Sequence, residues 1–166
     1  MAEKIAVAMS GGVDSTVCAA LLKKDFDVHG FFMDLGLPDQ EVVDLAEVFA
    51  REIIDYFCES YVAGITPNPC VVCNPRIKFG RLLEEMRTRG IDRMATGHYV
   101  RVSHDQQISH LLKGLDQKKD QSYFLCGLRQ EQLKHLVFPL GELTKNHVYR
   151  LAAELGFDHH PSSESQ

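Results

Sequence analysis

The stretch that decides the fold lies at residues 4–24. It reads Lys4-Ile5-Ala6-Val7-Ala8-Met9, then Ser10-Gly11-Gly12-Val13-Asp14-Ser15, then Thr16–Lys24. The first six residues are a short, mostly apolar run, which is typical of a buried strand. A glycine-containing loop follows at once, and Val17, Ala20 and Leu21 then recur at helical spacing. The sequence therefore predicts a strand, a tight loop and a helix, which is the first unit of a parallel α/β sheet.

The same alternation of strand and helix continues along the chain. Further strands are predicted at Val28–Met33, Glu41–Leu45 and Asp92–Thr96, a hairpin at Tyr99–His104 and Ile108–Lys113, and helices at Leu45–Ala63, Arg76–Arg89, Ser122–Leu128, Gln130–Leu136 and Lys145–Leu155. At 41–45 a helix start is the alternative, but Val42 and Val43 favour a strand. A turn is predicted at Asp34–Gln40. The expected fold class is α/β, a Rossmann-like parallel sheet with helices on both faces.

Ligands of such sheets bind beyond the carboxyl ends of the strands. The Ser10–Ser15 loop, Met33 and Gly97-His98 all follow predicted strands, so they are expected at that edge. Gly11 and Gly12 let the backbone approach a ligand, and backbone N–H groups at a helix start attract anions. The hydroxyls of Ser10 and Ser15 would donate further hydrogen bonds, and Asp14 suggests a Mg²⁺ ion beside phosphates. A plain turn between strand and helix is the alternative, and the lysine of the Gly-x-x-x-x-Gly-Lys loop is absent.

A second motif is Thr66-Pro67-Asn68-Pro69-Cys70-Val71-Val72-Cys73-Asn74-Pro75-Arg76-Ile77-Lys78-Phe79-Gly80. Its prolines predict that residues 64–75 are irregular and hold the thiols out of the core. Arg76 and Lys78 are expected to stabilise a thiolate at Cys70 or Cys73. A zinc half-site and a thioredoxin-like redox motif are alternatives that spacing alone leaves open. Of the other cysteines, Cys18 and Cys126 are expected in the core, and Cys58 on a predicted helix is given no role.

Composition limits the class of protein. The chain has 166 residues, 45% hydrophobic, 25% charged and a net charge of −5, which excludes a disordered chain. No apolar run approaches the roughly 20 residues of a membrane span, and no secretory signal is visible, so a cytoplasmic location without membrane contact is expected. Acidic residues dominate residues 1–66 and basic residues slightly outnumber them in 67–166. A polyanionic partner would favour the second part.

The hexapeptide Ser10–Ser15 resembles the PP-loop of the ATP pyrophosphatase (adenine nucleotide alpha hydrolase-like) superfamily. The segment Thr66–Gly80, together with Ala95–Arg101, Gly114–Leu125 and Phe138–Lys145, resembles the narrower tRNA-specific 2-thiouridylase family. That resemblance implies adenylation of the C2 oxygen of the wobble uridine by ATP with Mg²⁺, followed by sulfur transfer from a persulfide donor protein. The implied partner is tRNA.

The resemblance also implies roles for individual residues. ATP would be held by Ala8, Met9, Ser10, Gly11, Gly12, Val13, Asp14, Ser15, Met33 and Gly97. The target base and tRNA would be met by Asn68, Pro69, Cys70, His98, Lys119, Asp120 and Gln121. Cys73 matches the family's nucleophile, with Cys70 as a second catalytic thiol, while Tyr123 and Phe124 are expected to fill core space. The Asp14 carboxylate is expected to be exposed, so its removal would cost little stability.

The sequence departs from the family at two places. The family's insert after Met33 is missing, and the chain stops before the second catalytic cysteine and the central and β-barrel domains. We therefore expect one catalytic domain at residues 1–157 and a short tail at 158–166. Cys70 and Cys73 also suit two ligands of a [4Fe–4S] cluster. A nucleotide- or iron–sulfur-binding module without catalysis of its own, and another PP-loop pyrophosphatase, are the alternative functions.

Overall fold

A computed structural model describes residues 2–34 and 42–157. Its strands are β1 (Lys4–Met9), β2 (Asp27–Asp34), β3 (Val42–Asp44), β4 (Arg93–Ala95), β5 (Val100–His104), β6 (Ser109–Lys113) and β7 (Leu136–Val137). Five of them form one parallel sheet in the order β3-β2-β1-β4-β7. The chain moves outward from β1 to β3 and then returns to β4 on the other side of β1. The order therefore reverses between β1 and β4, where open α/β sheets bind ligands.

Helices flank this sheet. They are α1 (Val13–Leu22), α2 (Ala46–Phe49), α3 (Asp55–Val62), α4 (Pro69–Cys73), α5 (Leu83–Thr88), α6 (Gln130–Leu133) and α7 (Lys145–Glu154). Two π-helical segments, Ala50–Ile54 and Asn74–Leu82, join α2 to α3 and α4 to α5, and a 3₁₀ turn covers Ser122–Leu125. None of the described helices is long and apolar enough to cross a membrane.

The side chains of β1 explain why helices cover both faces. Ile5 and Val7 belong to one buried cluster with residues of α1 and α7. Ala6, which points to the other face because strand side chains alternate, belongs to a second cluster with residues of the second π-helical segment and α5. The predicted α/β class with a parallel sheet and helices on both faces is confirmed. The predicted hairpin is also confirmed, because β5 and β6 pair antiparallel.

The structure corrects the predicted irregular segment at residues 64–75. A helix begins at Pro69, which is tolerated there because the first helical N–H needs no partner within the helix. Pro75 falls inside the continuous helical run, where its missing N–H disturbs the bonding pattern, and the run continues in π form. The Gln132 side chain donates to the carbonyl oxygens of Pro75 and Phe79, each at 2.8 Å. A contact from another part of the chain thus stabilises the distortion.

Other predicted bounds shift in smaller ways. The first helix includes Val13, Asp14 and Ser15, which the sequence reading placed in the loop, and it ends at Leu22. The sequence reading missed β7, since Leu136 was assigned to a helix. The predicted turn at 34–40 beyond Asp34, and the tail at 158–166, lie outside the described residues.

Candidate functional site

A cavity of about 120 Å³ opens at the carboxyl ends of β1 and β4. Its lining includes the predicted residues Ala8, Met9, Ser10, Asp14, Ser15, Met33, Gly97, His98 and Gln121, and also Lys78 and Thr96. Residues from five separate parts of the chain therefore meet at the edge of the sheet where the sequence reading expected a ligand. Gly11, Gly12 and Val13 belong to the same loop without lining the cavity.

The loop after β1 is held by its own hydrogen bonds. Gly11 has a φ of 74°, a left-handed conformation that glycine adopts without strain. The hydroxyl of Ser15, which is buried, accepts from the N–H of Ser10 at 3.2 Å and donates to the carbonyl of Gly12 at 3.0 Å. Helix α1 begins directly after Gly12. Its free N–H groups and the positive end of its dipole make the loop a site for an anion.

The Ser15 hydroxyl serves the loop itself. It was predicted to donate to a ligand, but its proton already lies toward the Gly12 carbonyl. The exposed Ser10 keeps its hydroxyl at the cavity, with only a 3.3 Å contact to Ser15.

Gly97, just beyond β4, lies against this loop. A Cβ added at Gly97 would sit 2.9 Å from the Asp14 carbonyl carbon and 3.0 Å from the Ser15 nitrogen, closer than real contacts allow. Only glycine therefore lets the end of β4 approach the start of α1 so closely. This contact closes one wall of the cavity.

Asp14 differs from the exposed carboxylate that the sequence predicted. The ammonium of Lys145 donates to both Asp14 carboxylate oxygens, at 2.8 and 2.7 Å, and the Tyr99 hydroxyl donates to Oδ1 at 2.8 Å. The Lys145 side chain is 10% exposed and that of Asp14 is 26% exposed. Asp14 thus ties α1 to α7 and to the segment after β4.

The donor atoms of this site suit Mg²⁺ and an iron–sulfur cluster to different degrees. Within residues 2–34 and 42–157, no group of three or more His, Cys, Asp or Glu side chains is placed to hold a metal ion. A lone carboxylate is compatible with Mg²⁺ that is held mostly by substrate phosphates and water, provided that Asp14 exchanges its lysine contact. For an iron–sulfur cluster the described chain offers Cys70 and Cys73 and no third ligand beside them.

The two thiols lie at either end of α4. Asn68 precedes the helix, Pro69 is its first residue, Cys70 is exposed and Cys73 is half-buried. Burial raises the pKa of the Cys73 thiol, Lys78 acts in the opposite direction, and Cys70 raises it further. The expectation that nearby cations lower the thiol pKa overall is therefore wrong for Cys73, because burial outweighs the charge of Lys78.

Of the predicted tRNA contacts, His98 and Gln121 line the cavity. Gln121 accepts from the Tyr99 N–H at 2.9 Å, which fixes the loop of residues 119–121 beside β5. Asp120 accepts from the Gly114 N–H at 2.9 Å, so its carboxylate serves this loop. His98 is half-buried and its Nδ1 lies 2.7 Å from the Thr96 hydroxyl. Burial, followed by the charge of Lys78, lowers the pKa of His98 well below its ordinary value, so the ring is neutral at pH 7.

Two predictions about the core are wrong. Cys126 is exposed, whereas Cys18 is buried as expected. Tyr123 is 65% exposed on the 3₁₀ turn and contacts Phe124 edge to face, so it does not fill core space. Lys145 is one of the site residues that sequence reasoning missed, together with Thr96 and Tyr99, although all three lie in quoted motifs. The position of Lys145, 131 residues from Asp14, leaves no local signal for the pairing.

The family model described as "tRNA methyl transferase HUP domain" matches residues 3–41 and 34–166. The chain belongs to this family. The two matched segments meet at residues 34–41, where the sequence analysis expected a missing insert.

The relatives agree with the resemblance drawn from the motifs. The chain is 43% identical over 178 residues to the "tRNA-specific 2-thiouridylase MnmA" of Desulfotalea psychrophila, covering 96% of this chain and 52% of that protein. It is 43% identical over 182 residues to the protein of the same name from Syntrophomonas wolfei, covering 98% and 54%. It is 44% identical over 188 residues to that of Syntrophotalea carbinolica, covering 98% and 53%. The chain spans about half the length of the curated relatives it matches.

Proposed function

We propose that this chain is the catalytic domain of an ATP-dependent enzyme that replaces the C2 oxygen of a tRNA uridine with sulfur. The observation that carries the proposal is that one cavity is lined both by an anion-binding loop and by a lysine that interacts with two thiols. An anion-binding loop at the start of α1 forms one wall, and Lys78, which interacts electrostatically with Cys73 and Cys70, forms another. The family model's description and the relatives' names both refer to tRNA, and the relatives' names refer to 2-thiolation.

The reaction needs both parts of the site. In the first step the uridine O2 attacks the α-phosphorus of ATP, and pyrophosphate leaves. In the second step a sulfur nucleophile attacks C2, and AMP leaves with the original oxygen. ATP supplies the leaving group as a substrate, and a Mg²⁺ ion bound beside Asp14 would neutralise phosphate charge. The chain's own loop N–H groups orient the phosphates, which is the main task of a protein in phosphate chemistry.

Sulfur handling is assigned to the thiols of α4. Cys73 is proposed to carry a persulfide whose outer sulfur comes from a persulfide donor. That outer sulfur attacks C2 as AMP leaves. Cys70, three residues earlier, then attacks the Cys73 sulfur, so that the S–S bond breaks, a Cys70–Cys73 disulfide forms and the outer sulfur stays on C2. Asn68, Pro69 and Cys70 are proposed to face the target base, and His98 and residues 119–121 to contact tRNA. The neutral state of His98 limits it to hydrogen bonding or stacking, because it carries no charge for a phosphate. The alternative in which Cys70 and Cys73 bind a [4Fe–4S] cluster lacks a third ligand among the described residues.

A thiolation assay tests the proposal. The purified chain is incubated with a tRNA transcript, Mg·ATP and a persulfide-charged desulfurase, and 2-thiouridine is measured by nucleoside mass spectrometry. Cys73→Ser is expected to abolish 2-thiouridine but to leave ATP binding by calorimetry unchanged. Cys58→Ser, an exposed cysteine on α3, serves as the matched control and should retain activity. Undiminished thiolation by Cys73→Ser would remove this cysteine from the mechanism.

A further inference from the structure

Lys78 occupies a position that follows from the π-helical distortion. In a π-helix the backbone bonds link residues five apart, so residues i and i+5 lie one turn apart on the same side. Cys73 ends α4 and Lys78 follows it by five residues inside the π segment Asn74–Leu82. In a regular α-helix with 3.6 residues per turn, a residue five positions later would point well away from the first. The segment thus brings the ammonium of Lys78 to the side of the helix that carries Cys73.

The same distortion is built by specific contacts. A Cβ at Gly80 would lie 2.9 Å from the Pro75 carbonyl oxygen, so glycine permits the tight approach within the π turn. Gln132 binds that same oxygen from α6. The contacts show that the position of Lys78 is specified by residues around it and does not depend on Lys78 alone.

Among the described residues, no carboxylate is paired with Lys78. Lys78 lines the nucleotide-loop cavity, is half-buried, and has no hydrogen bond or ion pair within residues 2–34 and 42–157. Asp14, the carboxylate lining the same cavity, is paired with Lys145. Burial lowers the pKa of Lys78, and the thiols of Cys73 and Cys70 raise it. The protonated state of Lys78 is therefore electrostatically coupled to the two thiols. A half-buried cation without a counter-ion is a binding site for an anion.

We propose that Lys78 is a catalytic residue that contacts the α-phosphate of the bound nucleotide. The inference rests on the proposed function and adds a residue to it. In the adenylated uridine, C2 and the α-phosphorus are joined through a single oxygen. A thiol that reaches C2 must therefore work next to the α-phosphate. Lys78 lines the same cavity as the phosphate loop and interacts electrostatically with both thiols. Its ammonium neutralises the oxygens on phosphorus while pyrophosphate leaves, and again while AMP leaves.

Nucleotide binding separates this role from a structural one. AMP and adenosine are titrated by calorimetry into the wild-type chain, Lys78→Met and the matched control Lys24→Met, an exposed lysine beyond the end of α1. Lys78→Met is expected to weaken AMP binding by about 10- to 100-fold, the range for a hydrogen bond to a charged group. Adenosine, which lacks the phosphate, should bind Lys78→Met and wild type within twofold. Lys24→Met should bind both ligands like wild type.

The thiol gives a second readout. Lys78→Met is expected to slow alkylation of Cys73 by iodoacetamide at pH 8 about threefold or more, because the thiolate loses its neighbouring charge. The measurement uses a Cys70→Ser background, so that the two thiols are not confused, and peptide mass spectrometry identifies the modified site. If Lys78→Met fails to fold by circular dichroism, Lys78→Gln takes its place in both assays.

The outcomes distinguish a failure of the proposed function from a failure of the role proposed for Lys78. A wild-type chain that binds neither ATP nor AMP overturns the proposed function. A wild-type chain that binds AMP while Lys78→Met binds it equally well overturns the role of Lys78 alone. Equal loss of AMP and adenosine binding in Lys78→Met also overturns it, since that result indicates a structural effect.

Discussion

The ion pair between Lys145 and Asp14 provides a sharp test of how the site is held together. Replacing Lys145 with Met keeps most of the buried stem and removes the ammonium that donates to Asp14 at 2.8 and 2.7 Å. Hydrogen bonds to charged groups contribute about 1.5–3 kcal/mol each. The Asp14 side chain is 26% exposed, so water replaces part of this loss. We expect Lys145→Met to lower the free energy of unfolding by about 2–3 kcal/mol.

Removing the charge of Asp14 should lower the free energy of unfolding at least as much as removing that of Lys145. Asp14→Asn leaves the charge of Lys145, whose side chain is 10% exposed, without its partner. A buried charge without a partner is more costly than a partly exposed one, so we expect about 3 kcal/mol. Because both single variants break the same interaction, the double variant should lose less than the sum of the two.

Urea unfolding measures these values. The slope of unfolding free energy against urea should stay the same while the midpoint falls, because the folded structure and its buried area persist. Glu142→Gln is the matched control, since its pair with Arg101 spans 3.4 Å and is exposed at 38% and 69%. An exposed pair contributes about 0–1 kcal/mol. If Lys145→Met loses no more stability than Glu142→Gln, the reasoning about the buried pair is wrong.

Three further changes have defined outcomes. Gln132→Leu should lower the unfolding free energy by about 2 kcal/mol in urea, because it strips two carbonyl oxygens of the π segment of their 2.8 Å hydrogen bonds. Since the folded pKa of His98 lies well below its ordinary value of 6.5, only the unfolded chain binds a proton just below pH 6.5. Stability should thus fall below pH 6.5, by at most about 1.4 kcal/mol per pH unit from this residue, and His98→Asn should flatten that fall in urea titrations. Iodoacetamide should modify the exposed Cys70 before the half-buried Cys73, whose pKa is raised, and Cys18 last, because burial raises its pKa to about 12; mass spectrometry that finds Cys18 modified first would contradict the burial argument.

The local sequence was sufficient to predict the elements whose conformation depends on a few neighbouring residues. The apolar run Lys4–Met9 forms β1 with the predicted bounds. Gly11 adopts the positive φ that the loop needs, and the alternating apolar pattern near residues 100–113 forms the predicted hairpin. These features depend on hydrophobic periodicity and backbone freedom, which are properties of a few neighbouring residues. The convergence of strand ends at one edge then follows from the rules of parallel sheets.

Tertiary structure decided the features that depend on distant partners. The prolines of residues 67–75 favour an irregular segment, but Pro69 fits the first turn of a helix and Gln132, 57 residues from Pro75, satisfies a carbonyl of the distorted part. The Asp14 carboxylate is paired because a lysine 131 residues away reaches it. Burial likewise outweighed the expected lowering of the Cys73 pKa by Lys78, since the cost of a charge depends on the surrounding protein. No periodicity or motif encodes such contacts, because their energies arise only once separate parts of the chain are packed together.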